Sequence, residues 1–150
     1  MRTERYSLRL RCSPPFKLNV GDCMVLESKK DKGRCGLSLA IGYFGSNGYI
    51  VSIPLNDTQP YDLIVDKDDV LDRVSVKFTG YKHDGNYTVD LRSCGGSNGS
   101  KVYSSFIESN ASYLFVVTDE PKLYLIPREA INTTTQITLN EMYNKYIVTI

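Results

Sequence analysis

Residues 59–79 read QPYDLIVDKDDVLDRVSVKFT, and this segment carries the strongest structural signal in the chain. Two runs rich in β-forming residues, Tyr61 to Val65 and Arg73 to Phe78, flank an acidic segment that favours a turn, which predicts a β-hairpin. Side chains alternate between the two faces of a strand. In the second run the even-numbered residues are apolar and the odd-numbered residues are polar. Lys77 is therefore predicted to point away from the buried face.

Asp62 lies on the first strand of this predicted hairpin. If the turn centres near Asp68 or Asp69, the numbers of paired residues add to about 137 to 139, and the odd sums place Asp62 and Lys77 on one face. One interpretation is a plain cross-strand ion pair, which contributes little. The other is half of a phosphodiesterase site, in which Asp62 and the Val76 carbonyl hold Mg²⁺ while Lys77 stabilises the anionic transition state. The spacing alone favours the ion pair.

The other segments follow the same local rules. Apolar residues at helical spacing from Gly33 onward predict an amphipathic helix that ends at Asn47-Gly48. The remaining predicted elements are a strand at 49–55, a strand at 87–92 followed by a loop at 93–100, a short helix at 102–109, a hairpin of 113–118 with 122–126, and helical stretches near 127 and 139. This order predicts an α/β fold with a central mixed β-sheet flanked by helices.

Length and composition fit one compact domain, since 150 residues with 41% hydrophobic residues can bury a sizeable core. No apolar run approaches the roughly 18 residues of a membrane span, and the Met1 end lacks a signal-peptide pattern. The four cysteines are scattered and too few for a disulfide framework. We therefore expect an unsecreted, cytoplasmic protein with reduced thiols.

The net charge of +1 is unevenly distributed along the chain. Residues 1–35 contain nine Lys or Arg against four Asp or Glu, whereas residues 36–76 contain two against six. A basic front end beside an acidic middle suits a phosphate-binding surface next to a metal pocket. The candidates for contact with DNA phosphates are Lys29, Lys30, Lys32 and Arg34. A solvated charge run explains the same residues equally well.

Pro54, the run 59–66 and Val74-Ser75-Val76-Lys77 together resemble the PD-(D/E)XK nuclease superfamily, and within it the group I intron-associated, homing-type endonucleases. The similarity covers about Lys32 to Lys77 and is looser beyond. It implies a restriction-endonuclease-like fold for residues 33–150, and we predict that residues 1–32 form a basic N-terminal appendage. It also implies that Asp62 and Val76 bind Mg²⁺, that Asp62, Ser75 and Lys77 occupy the catalytic positions, and that the partner is double-stranded DNA.

The chain departs from the family pattern at two positions. Ser75 stands where a second acidic or amide residue is expected, and its hydroxyl can hold a coordinated water instead. Leu37 stands where many relatives carry a metal-site Glu after a Gly. Conceivable substitutes are Glu27, Asp31 and Asp66, although Asp66 lies roughly 13 Å along the strand from Asp62.

The leading hypothesis is a Mg²⁺-dependent endonuclease that cleaves double-stranded DNA, encoded with an intron or a phage element. The alternative is a nuclease-fold module with weakened catalysis that binds DNA. A third hypothesis is a scaffold protein in which the contact between Asp62 and Lys77 is structural. We expect a dimer or tetramer, because a domain this small needs a second copy to cut both strands at once.

Overall fold

A computed structural model describes residues 28–56, 58–95, 102–120 and 122–150. The predicted N-terminal appendage up to residue 27, with Glu27, lies outside the described residues, as does most of the predicted loop at 93–100. The one α-helix in the described part of the chain is α1 (Lys29–Ser46). The strands are β1 (Ile50–Ser52), β2 (Leu63–Lys67), β3 (Val70–Thr79), β4 (Lys82–His83), β5 (Asn86–Asp90), β6 (Arg92–Gly95), β7 (Val102–Ser105), β8 (Tyr113–Thr118), β9 (Leu123–Pro127), β10 (Gln136–Leu139) and β11 (Ile147–Val148).

Helix α1 begins four residues before the predicted start because Ser28 caps it. The Ser28 Oγ accepts a hydrogen bond from the Asp31 amide at 3.1 Å, and the acidic Asp31 in the first turn complements the helix dipole. The helix ends as predicted at Asn47, and Gly48 follows with φ of 78°. The basic residues Lys29, Lys30 and Lys32 therefore lie within α1.

The central sheet has six strands in the order β1-β2-β3-β8-β9-β11. Strands β3 and β8 are parallel, and all the other neighbours are antiparallel, so the sheet is mixed. The predicted α/β fold with a central mixed sheet is confirmed. The chain between β3 and β8 contains β4 to β7, which form parts of two smaller sheets.

Helix α1 packs on one face of the central sheet. Its buried residues, among them Leu39 and Phe44, meet Leu63, Val74 and Phe115 from the central strands. On the opposite face a three-stranded sheet, β10-β5-β4, and 3₁₀ helices cover the outer half of the sheet. That second core contains Tyr87, Val89, Leu91, Phe106, Ala111, Leu114, Val116, Tyr124, Ile126, Ile131, Ile137, Leu139 and Tyr143. No helix of the described chain has the length and apolar character needed to cross a membrane.

The hairpin of β2 and β3 turns at Asp68 and Asp69, as predicted. Both residues have positive φ, 54° and 63°, as in the type I′ turn that two-residue hairpin loops favour. Both strands extend further toward the turn than predicted. The hairpin of β8 and β9 is also confirmed.

Three predictions about secondary structure are wrong. The strand predicted at 49–55 is limited to Ile50–Ser52. The loop predicted from Ser93 begins instead as strand β6, which pairs with β7 where a helix was expected. A single 3₁₀ turn, Phe106–Glu108, follows β7, because the capping box of Ser105 and Glu108 starts a helix that does not continue.

Near the C-terminus the helical stretches are 3₁₀ helices, Arg128–Ala130 and Glu141–Tyr146, and β10 between them was not predicted. Strand β10 pairs with β5, and this pairing completes the second sheet. Cys35 on α1 is disulfide-bonded, so the prediction of reduced thiols is wrong for this residue. Cys12 and Cys23 lie outside the described residues.

Candidate active site

Asp62 lies immediately before β2, at the end of its pairing with β3. Leu63 pairs with Val74, and the Asp62 amide donates to the Val74 carbonyl at 2.9 Å. The paired numbers therefore add to 137, the odd sum that was expected to place Asp62 and Lys77 on one face. The hairpin geometry predicted from the sequence is confirmed.

Beyond Val74, β3 continues to Thr79 without a partner from β2. The Asp62 side chain lies against the edge of β3 that β2 leaves unpaired. Its Oδ2 accepts a hydrogen bond from the Val76 amide at 2.6 Å and one from the Ser75 hydroxyl at 3.3 Å. Polar main-chain groups of alternate residues in a strand point to the same side. Because Val74 faces β2, the Val76 carbonyl also lies on the Asp62 side of β3. A carboxylate, a carbonyl and a hydroxyl thus converge at the unpaired edge of one strand.

Lys77 lies on the same strand and is half-buried. Its Nζ donates to the Ser93 Oγ at 2.9 Å and to the Arg92 carbonyl at 3.3 Å. Burial lowers the pKa of this ammonium, against the opposing influence of the Asp62 and Asp90 carboxylates. Asp62 and Lys77, both within the described chain, form no direct ion pair. The plain cross-strand salt bridge that the spacing favoured is therefore wrong.

A cleft of about 840 Å³ opens beside this edge of β3. Its walls are the start of α1, residues 76–81 and residues 88–90 with Arg92. Of the four predicted DNA contacts, Lys29 and Lys32 line the cleft. Lys30 and Arg34 do not, and Arg34 pairs with Asp31 on the exposed side of the helix. Asp62 is not part of the cleft wall but is bonded to Val76, which is.

The structure supplies no further carboxylate at the positions where relatives carry one. Ser75 is buried against Asp62, and Leu37 is half-buried and packs against the core under the helix. Asp31 is engaged in capping α1, and Asp66 lies toward the turn end of β2, opposite Leu71. Within the described chain no cluster of three His, Cys, Asp or Glu could hold a metal ion.

The segment of residues 90–93 was not predicted to belong to the site. Asp90 binds the Arg92 guanidinium through both carboxylate oxygens, at 3.0 Å each, and lines the cleft beside Lys77. This bidentate pair lowers the pKa of Asp90. The sequence showed only an alternating strand before a polar loop. Nothing local indicates that this segment packs against a lysine on β3.

Comparison with known protein families shows one match that spans most of the chain. The sequence model described as PD-(D/E)XK endonuclease matches residues 27–146.

The chain belongs to the PD-(D/E)XK endonuclease family.

Membership of this family supports a hydrolytic nuclease activity, and the predicted resemblance is confirmed. Among solved structures, the PD-(D/E)XK chain is similar to a bacterial homing endonuclease, I-Ssp6803I, with a TM-score of 0.64 and 29% sequence identity. The match covers 76% of this chain and 79% of the other. No curated protein sequence matches significantly.

Enzymes of the PD-(D/E)XK family generally use divalent metal ions. The donors at the edge of β3 are all oxygens: the Asp62 carboxylate, the Val76 carbonyl and the Ser75 hydroxyl. Hard cations prefer such donors, and Mg²⁺ commonly takes only one or two protein carboxylates and fills its other positions with water and phosphate oxygens. The residues present therefore fit a hard divalent ion. They supply one carboxylate, where two-carboxylate sites supply a second.

Proposed function

We propose that this PD-(D/E)XK protein is a Mg²⁺-dependent endonuclease that hydrolyses phosphodiester bonds of double-stranded DNA. The observation that carries the proposal is the position of the Asp62 carboxylate near Lys77, along the part of β3 that β2 no longer pairs, beside a cleft with lysines on its wall. The cleft is open to solvent, as a site for an extended polymer needs to be. The homing endonuclease I-Ssp6803I is the relative that suggests a duplex substrate.

Each residue has a stated role in this proposal. Asp62 and the Val76 carbonyl would hold the metal ion, and the Ser75 hydroxyl would orient a water beside it. A bound Mg²⁺ polarises the phosphate and makes a water nucleophilic at neutral pH. Lys77 is a fixed positive charge in a partly dry site, where it stabilises the negative charge that develops on the phosphate. Lys29 and Lys32 bind backbone phosphates and align the duplex along the cleft.

A second candidate function is a DNA-binding module with weakened catalysis. Ser75 and Leu37 favour it, because both replace side chains that hold metal in relatives. Both candidate functions predict that the protein binds DNA, and they differ in whether it cleaves the DNA. A dimeric or tetrameric assembly, a cytoplasmic location and an intron or phage origin stay predictions.

Cleavage of DNA with Mg²⁺ separates the candidates. Because the target sequence is unknown, the substrate is a plasmid library with randomised inserts, and cut ends are captured by ligation and sequenced. We expect wild type to cut, and Asp62→Ala and Lys77→Ala each to lose at least about 100-fold in rate. Asp66→Ala is the matched control, because Asp66 is an aspartate of β2 near the turn, away from the edge of β3 that Asp62 contacts.

Three results would change the conclusion. Intact plasmid with retained, salt-sensitive binding by wild type favours the DNA-binding module. Unchanged cleavage by Asp62→Ala or Lys77→Ala refutes the assigned site. Neither cleavage nor binding by wild type refutes the nuclease function altogether.

A further inference from the structure

The ammonium of Lys77 is held by a segment outside the hairpin that carries the other site residues. Both of its acceptors, the Ser93 Oγ at 2.9 Å and the Arg92 carbonyl at 3.3 Å, belong to the start of β6. An ammonium has three N–H donors, and both of these acceptors are uncharged. Two donors are therefore occupied by neutral oxygens, and one is left for a phosphate oxygen.

The segment that provides these acceptors is anchored from both sides. Asp90 accepts a hydrogen bond from the Arg92 amide at 2.9 Å and two from its guanidinium at 3.0 Å. Leu91 between them is fully buried, its amide donates to the Thr135 carbonyl at 2.8 Å, and its carbonyl accepts from the Phe106 amide at 2.9 Å. The position of the Arg92 carbonyl is thus determined by a buried residue and a bidentate ion pair.

We propose that Ser93 and Asp90 are positioning residues for Lys77, Ser93 through its hydroxyl and Asp90 through the Arg92 main chain. The inference rests on the proposed function, in which Lys77 acts on the phosphate. A lysine has a flexible four-carbon stem with about 2 kcal/mol of rotamer entropy. Holding the ammonium before the substrate arrives removes that ordering step from the reaction.

The test compares Ser93→Ala, Ser93→Thr and Asp90→Asn in single-turnover cleavage and in DNA binding. We expect Ser93→Ala to lower the cleavage rate constant about 10-fold while the Kd for DNA stays unchanged. Ser93→Thr keeps the hydroxyl and restores the rate. Asp90→Asn keeps one acceptor oxygen but not the charge, and it lowers the rate constant by a smaller factor. Ser104→Ala is the matched control, because Ser104 pairs with Ser93 across the β6–β7 hairpin and is also exposed.

A second readout does not depend on cleavage. The Lys77 side chain, assigned by NMR in the free protein, is expected to become more mobile in Ser93→Ala and to stay ordered in Ser93→Thr. If wild type does not cut DNA, the proposed function fails, and this measurement still tests the contact. The positioning role is refuted if Ser93→Ala leaves both the rate and the Lys77 mobility unchanged. It is also refuted if Ser104→Ala loses as much activity, or if the loss in Ser93→Ala is entirely weaker DNA binding.

Discussion

Replacing Lys77 by methionine tests how much the half-buried ammonium costs in folding stability, apart from its proposed role in cleavage. Methionine keeps a long, unbranched side chain and removes the charge. The change abandons two hydrogen bonds, but their acceptors, the Arg92 carbonyl and the Ser93 hydroxyl, belong to exposed residues that water can reach. The change also relieves the desolvation of the ammonium. The two effects have opposite signs.

The direction in which folding shifts the Lys77 pKa indicates whether the lost hydrogen bonds or the relieved desolvation has the larger effect on stability. The pKa lies below its ordinary value of 10.5 because burial outweighs the attraction of Asp62 and Asp90. The charged form is therefore less favourable in the folded protein than in the unfolded chain. We expect Lys77→Met to raise the free energy of unfolding at pH 7 by about 0.5–2 kcal/mol, the range typical of a single stabilising substitution. For a domain of this size that is roughly 2–4 °C in Tm per kcal/mol.

The pH dependence has a definite sign. The cost of the ammonium is fully present below its folded pKa and disappears as pH rises through that pKa toward 10.5, where the unfolded chain also loses the proton. The stability advantage of Lys77→Met is therefore largest near neutral pH and shrinks in alkali.

Thermal unfolding of both proteins across this pH range, together with cleavage at neutral pH, measures the effect. Lys82→Met is the control, because Lys82 pairs with Glu120 and that hydrogen bond raises its pKa. This variant is expected not to gain stability. A Tm for Lys77→Met below that of wild type at pH 7 would refute the reasoning. The hydrogen bonds of Lys77 to β6 would then contribute to the stability of the fold.

Two further predictions concern DNA and metal binding. Lys29→Gln and Lys32→Gln are each expected to reduce the slope of log K against log salt by about 1, because each removes one proposed phosphate contact in the cleft, whereas Lys30→Gln is expected to leave the slope unchanged. Fluorescence anisotropy between about 50 and 200 mM salt measures this slope. An equal reduction of the slope by Lys30→Gln would contradict the placement of Lys29 and Lys32 in the cleft. Ser75→Asp sets a second carboxylate beside Asp62, so its Tm is expected to fall without divalent ions and to gain more than wild type on adding Mg²⁺. Equal gains in the two proteins would place the metal elsewhere.

Much of the fold was predictable because its signals are local. The alternation of residues along β2 and β3 and the turn at Asp68 and Asp69 are properties of neighbouring residues, and together they set the register. The end of α1 at Asn47 is local for the same reason. Strand β7 was missed because a run of four residues before a capping box has no periodicity that excludes a helix.

The candidate site was predictable in part. The predicted register set Asp62 near Ser75 and Lys77, and the Ser75 hydroxyl does donate to the Asp62 carboxylate. Which of the basic residues face the cleft depends on how α1 rotates against the sheet. Lys29 and Lys32 are three residues apart on a helix and share a face, but the choice of face is a property of packing.

The sequence by itself determined the β2–β3 hairpin and its register, and the family to which the chain belongs. Only the tertiary structure decided that Lys77 makes no ion pair with Asp62 and is held by Ser93 and the Arg92 carbonyl. The physical reason is the range of the interactions. Strand period and turn conformation depend on adjacent residues, whereas the partners of a half-buried ammonium depend on which distant segment the folded chain brings against it.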